Sequence, residues 1–129
     1  GYNYRMPNLN AALGCAQIEQ LTEILSIKAN LAMRWRDFFE GHQINFSVAL
    51  EGSKTNHWLN AVVLNSKAER DEFLKYTNEN GVMTRPIWKL ISRLPMFENC
   101  QHDGLSNSIW LEDRVVNIPS SVPNGSIRG

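Results

Sequence analysis

Apolar residues recur along this chain in two rhythms, and the point where one gives way to the other divides it. Leu9, Ala12, Leu13 and Ala16 fall at helical spacing just after Pro7, whose fixed φ suits a first helical turn, and they predict a helix over 8–20. Leu21, Ile24, Leu25, Leu31, Trp35, Phe38 and Phe39 carry on the stripe, while Lys28, Arg34, Arg36 and Asp37 lie mostly off it. A long amphipathic helix over 22–40 follows, with Gly41 as its expected stop. From residue 44 the period falls to two. Ile44, Phe46 and Val48 alternate with Asn45 and Ser47, the mark of a half-buried strand, and residues 57–64 form the next strand. The polar, turn-rich stretch 51–56 between them predicts a hairpin-like antiparallel connection.

Ser66-Lys67-Ala68-Glu69 reads as a capping box, in which a hydroxyl and a carboxylate satisfy opposite backbone N–H groups, so a helix runs from there to about residues 80–81. Residues 82–85 are expected to form a short strand ended by Pro86. A loop through Leu94-Pro95, a short helix over 105–113 and a last strand over 115–118 complete the order, before Pro119, Pro123 and Gly125 break regular structure. There is no internal repeat. Helices flanking a small mixed or mostly antiparallel sheet define an α+β fold of two layers. The first helix stands apart, because Ala11, Ala12, Gly14, Cys15 and Ala16 leave it without bulk. Such a face lets another backbone approach closely, and we expect it to pack on a large partner surface.

Composition narrows the functions available. At 129 residues the chain has the usual size of one domain and needs no staple. Thirteen Lys and Arg balance thirteen Asp and Glu, so no net field draws it to a nucleic acid polymer or an anionic membrane. A nucleotide, if bound, is expected as a small ligand. Cys15 and Cys100 form no CxxC pair, and no His cluster has metal-ligand spacing, so two reduced thiols are expected. No apolar run approaches the roughly 20 residues that cross a bilayer, which is the expectation for a soluble, cytoplasmic protein. The chain opens without Met, directly before a helical pattern, and reads as a fragment.

No complete catalytic set is visible. His42, His57 and His102 fall in separate elements, neither Cys has an activating pattern, and no glycine-rich phosphate loop is present. Two clusters remain. Tyr2, Asn3, Tyr4 and Arg5 precede a helix, where N–H groups and the dipole favour an anion; Asn3 can donate to a phosphate oxygen and Arg5 can grip a phosphate or carboxylate. An ordinary helix start packed by two Tyr fits the same residues. Arg85-Pro86-Ile87-Trp88-Lys89 sets cations beside a rigid aromatic, as a sugar phosphate requires, yet a core Trp88 and a solvated Arg85 fit equally.

Gly1-Tyr2-Asn3-Tyr4-Arg5-Met6-Pro7-Asn8-Leu9-Asn10-Ala11-Ala12-Leu13-Gly14, continued by Ala16-Gln17-Ile18-Glu19-Gln20-Leu21, resembles the signature of the DegT/StrS-type sugar aminotransferases. Arg85-Pro86-Ile87-Trp88 with Pro95-Met96-Phe97 resembles a later family segment, and residues 111–121 resemble its closing strand. In detail the chain looks most like the branch that makes UDP-4-amino-4,6-dideoxy-N-acetylglucosamine for bacillosamine-type or legionaminic-type sugars. The resemblance implies the small C-terminal domain of a fold type I enzyme that uses pyridoxal 5'-phosphate. It implies a homodimer with its active sites at the subunit interface, glutamate as amino donor and a nucleotide-linked 4-keto sugar as acceptor. The family's Schiff-base lysine and the acidic partner of the pyridine nitrogen lie upstream of this stretch, so no catalytic residue is expected here and the isolated fragment should be inactive. By the same resemblance Asn3 reaches across the dimer to the cofactor phosphate and Arg5 contacts the nucleotide sugar; Trp88 and Ser92 of the later segment are also expected to bind substrate. Relatives often carry a His four residues beyond the Trp; that position is Ser92, and the departure alters the expected sugar contacts. Competing readings are a noncatalytic small-molecule-binding or regulatory domain, and a relative turned into a sugar dehydratase.

Overall fold

The apolar stripe of the second helix lies on a small sheet, and the core forms between them. The computed structural model describes residues 4–123. In chain order, α1 spans Asn8–Glu19, α2 Leu21–Gly41, β1 Asn45–Phe46, β2 Asn60–Val63, α3 Lys67–Glu79, β3 Arg85–Pro86, α4 Ser106–Glu112 and β4 Val115–Ile118. Two 3-10 turns, Ile91–Arg93 and Pro95–Phe97, fill the connection from β3 to α4. The strands lie in the order β1-β2-β4-β3, with every neighbouring pair antiparallel. This is the expected α+β architecture.

The central pair carries the core. Val62 of β2 sits opposite Val116 of β4 and both are wholly buried, with Leu64, Ile118 and Phe39 of α2 completing the cluster. Trp35, Phe73 and Leu74 pack around it, and Trp35 stacks on Phe39 with ring centroids 5.8 Å apart. Each large apolar side chain buried in this way contributes about 1.5–3 kcal/mol, which is why the two shortest strands, β1 and β3, can be peripheral.

Local chemistry moved several boundaries. Gly41 is the last residue of α2 and not its stop; the left-handed turn falls on Gln43, at φ 58°, and Ile44 returns its N–H to the Phe39 carbonyl at 3.0 Å. That bond draws Ile44 back to the core. The strand expected over 44–48 contracts to β1, and that over 57–64 to β2, because His57 takes a left-handed φ of 50°. The Ser66 hydroxyl accepts the Glu69 N–H at 3.1 Å, as a capping box requires, but the Glu69 carboxylate accepts from Asn65, one residue before the cap.

The strand expected over 82–85 begins only at Arg85. Val82 donates to the Thr77 carbonyl and finishes α3, and buried Thr84 is held by Thr77 and Asn78. Pro86 is the last residue of β3, where the strand was expected to end. On the sheet edge its missing N–H leaves no ladder bond unmade.

No residue of α1 is buried, and Leu9, Leu13 and Ile18 are largely exposed. Among the described residues no helix is long and apolar enough to cross a membrane, and no group of three or more His, Cys, Asp or Glu is placed to hold a metal ion.

Candidate substrate-binding groove

Antiparallel pairing brings distant residues to the two flanks of β4. On one flank Arg85 pairs with Asn117 and Pro86 with Val116, which carries the following Trp88 alongside the strand. On the other, Asn60 pairs with Ile118, and Trp58 stands two residues before it. The two indoles meet over the end of β4, ring centroids 6.2 Å apart and planes inclined by 39°. Trp58, Trp88, Arg85, Lys28, Asn117 and Ser121 line an open groove of about 650 Å³.

The walls are fixed by polar contacts. Asn56 accepts the Trp58 N–H and Thr55 the His57 N–H, each at 3.0 Å, which holds the turn that presents Trp58. The floor of the groove, residues 118–121, is tied to α2 by Lys28 Nζ donating to the Ser120 carbonyl and by Trp35 Nε1 donating to the Pro119 carbonyl at 3.0 Å. Ser120 Oγ accepts the Asn60 N–H at 2.7 Å and donates to the Ile118 carbonyl at 2.8 Å. Both indoles are nonetheless about two-thirds exposed, at 67% for Trp58 and 65% for Trp88. Among the described residues no carboxylate pairs with Arg85. Flat apolar faces beside cations suit a sugar or base attached to phosphates.

Of the residues singled out in the sequence, Trp88 lines this groove, and the core position that competed for it is ruled out by its exposure. Arg85 is likewise at the groove. Arg5 is exposed ahead of α1 and does not line it, and Ser92 sits half-buried in the Ile91–Arg93 turn, outside it. Asn3 lies outside the described residues. Sequence reasoning missed Trp58 and Lys28, since the two-residue rhythm absorbed Trp58 into a strand; the side-chain acceptors Thr55 and Asn56 just before it were the available signal. It also missed Glu112, which is buried at the end of α4.

These residues do not by themselves seat pyridoxal phosphate. The groove lining contains no carboxylate to hold a protonated pyridine nitrogen, and its Lys28 ammonium is engaged by a main-chain carbonyl.

Fold and groove together define a small α+β module with an aromatic, cationic groove and no metal cluster among its described residues. Residues 1–124 match the DegT/DnrJ/EryC1/StrS aminotransferase family, and the chain belongs to that family. It is 32% identical over 124 residues to a GDP-perosamine synthase of Vibrio cholerae, which covers 92% of this chain and 33% of that protein. A GDP-perosamine synthase of Caulobacter vibrioides is 28% identical over 110 residues, 81% of this chain and 29% of the relative. The chain thus spans about a third of the length of the curated relatives it matches. Among solved structures, Helicobacter pylori PseC, an aminotransferase involved in the biosynthesis of pseudoaminic acid, superposes with a TM-score of 0.84 at 14% identity, over 95% of this chain and 34% of that one. A sugar aminotransferase from Micromonospora echinospora gives 0.78 at 18% identity, over 94% and 32%. At such identities the likeness is one of fold.

Proposed function

We propose that this chain is the C-terminal small domain of a pyridoxal-phosphate-dependent aminotransferase. The whole enzyme transfers the amino group of glutamate to the C4 keto group of a nucleotide-linked 4-keto-6-deoxy sugar, as a cytoplasmic homodimer. Family membership supports the class of reaction. The observation in this chain that carries the substrate reading is the Trp58–Trp88 pair set beside Arg85 in one groove. Trp88 offers an apolar face to the sugar and Arg85 supplies charge for the diphosphate, while Arg5, outside the groove, contacts the nucleotide sugar from ahead of α1. Asn3 donates to the cofactor phosphate of the neighbouring subunit. Ser92 acts on the substrate through the Ile91–Arg93 turn it belongs to. When bound, pyridoxal phosphate supplies the electron sink for exchange of amine and carbonyl; this domain contributes binding and orientation, which lower a barrier without a reacting group.

The family resemblance implies a UDP-linked N-acetylglucosamine derivative. The relatives named GDP-perosamine synthase support a GDP-linked sugar instead. The test is release of 2-oxoglutarate from glutamate by the full-length protein, offered GDP-linked and UDP-linked 4-keto-6-deoxy sugars in parallel. Turnover with a GDP sugar and little with its UDP counterpart is the expected result. Dehydration of the sugar without glutamate consumption, or no turnover with either series, contradicts the reading.

A further inference from the structure

A carboxylate at the C-terminal end of a helix faces the negative end of the dipole, and burial removes its water as well. Glu112 closes α4 and is only 8% exposed, so its charge must be compensated by neighbours. Arg93 Nη1 lies 2.5 Å from Oε2 as an ion pair; no aligned hydrogen bond forms there. Arg70, whose side chain is 12% exposed, donates to the main-chain carbonyl of Glu112 and balances the same helix end. Glu112 Oε1 accepts the backbone N–H of Leu90 at 2.9 Å.

Both partners on the carboxylate, Leu90 and Arg93, belong to the loop that follows Trp88. On its other side the loop is tied by the Ile87 N–H to the Val115 carbonyl at 3.3 Å. Trp88 therefore hangs between two fixed points, one on β4 and one on Glu112. A hollow of about 170 Å³ lined by Ile87, Trp88, Leu90, Ser108, Leu111 and Glu112 lies between the loop and α4, which leaves the loop room to shift if the polar tie is cut.

We infer that Glu112 is a positioning residue: its buried carboxylate clamps the loop at Leu90 and Arg93 and so sets the angle at which Trp88 meets the nucleotide sugar. The link to the sugar rests on the function proposed above, whereas the clamp does not.

The experiment uses the full-length protein labelled with 5-fluorotryptophan, its Trp88 fluorine signal assigned with Trp88→Phe, in the Glu112→Ala, Glu112→Gln and Arg93→Met variants. In Glu112→Ala the Trp88 signal should move or broaden while that of core Trp35 holds, and hydrogen exchange at the Leu90 amide should speed up at least tenfold. KM for the keto sugar should rise about tenfold, equivalent to about 1.4 kcal/mol, with the glutamate half-reaction within twofold of the parent. Glu112→Gln keeps an acceptor for Leu90 and should recover most of the amide protection. Should Glu112→Ala fail to fold, Glu112→Gln and Arg93→Met still break the ion pair and should shift the Trp88 signal in the same direction. Unchanged fluorine signal and exchange in the folded variants overturn the clamp. Changed signals with an unchanged KM overturn its role in substrate placement. If the full-length protein aminates no nucleotide sugar, the aminotransferase reading fails, and the clamp is judged by fluorine signal and exchange alone.

Discussion

Replacing Trp58 by Ala separates a side chain that builds the fold from one that serves the groove. An indole buries roughly 150–250 Å² when fully enclosed. Trp58 is 67% exposed, so about a third of that area leaves water in this chain. At about 25 cal/mol per Å², the area alone is worth about 1–2 kcal/mol, and the ring contact with Trp88 adds about 0.5–1.5 kcal/mol. Phe39→Ala provides the contrast: Phe39 is 4% exposed and touches both Trp35 and Phe73, so its truncation should cost about 3–5 kcal/mol. Denaturant unfolding of the two full-length variants gives the stability order, and calorimetric titration with the nucleotide sugar gives affinity. Trp58→Ala should weaken binding about tenfold or more, and Phe39→Ala, where folded, should leave it near the parent value. A Trp58→Ala protein less stable than Phe39→Ala, or one that binds as tightly as the parent, would refute the assignment of Trp58 to the groove.

Ser66→Ala should lower stability by about 1 kcal/mol through loss of the α3 cap, read as a drop in Tm, with activity retained. Gly14 has open space where a side chain would begin, so Gly14→Leu costs this domain nothing by itself; loss of dimer by light scattering in the full-length protein would mark α1 as an interface, and an unchanged dimer and Tm would not. Asn3→Ala should lower cofactor affinity by one to two decades, for a charge-assisted hydrogen bond of about 1.5–3 kcal/mol. Arg5→Ala should raise KM for the keto sugar and spare cofactor binding, so identical defects in the two variants contradict their separate roles.

The elements legible in the sequence are those whose signal is local and repeated. The stripe from Leu21 to Phe39 marks α2 within a residue at each end, and Val115–Ile118 is a strand as expected, because each side chain reports the same face. What escaped depends on single contacts between distant residues. Gln43 takes the left-handed turn that Gly41 was expected to make because the Phe39 carbonyl captures Ile44. Thr84 is held by α3 and not by the sheet, which no periodicity records. Trp88 was recognisable from its motif, but its neighbour Trp58 lies thirty positions away and meets it only because both strands flank β4. Glu112 and its tie to Leu90 were invisible for the same reason.

Transfer of nitrogen from glutamate to the sugar can be followed atom by atom. Full-length protein would be incubated with pyridoxal phosphate, nitrogen-15 glutamate and a GDP-linked 4-keto-6-deoxy sugar, and the product sugar analysed by mass spectrometry and NMR. If the enzyme transfers nitrogen as proposed, heavy nitrogen appears at C4 of the sugar with one equivalent of 2-oxoglutarate per sugar aminated, and the label is lost when Trp58 and Trp88 are both replaced by Ala. Heavy nitrogen that never leaves glutamate, with the sugar unchanged or dehydrated, would contradict it.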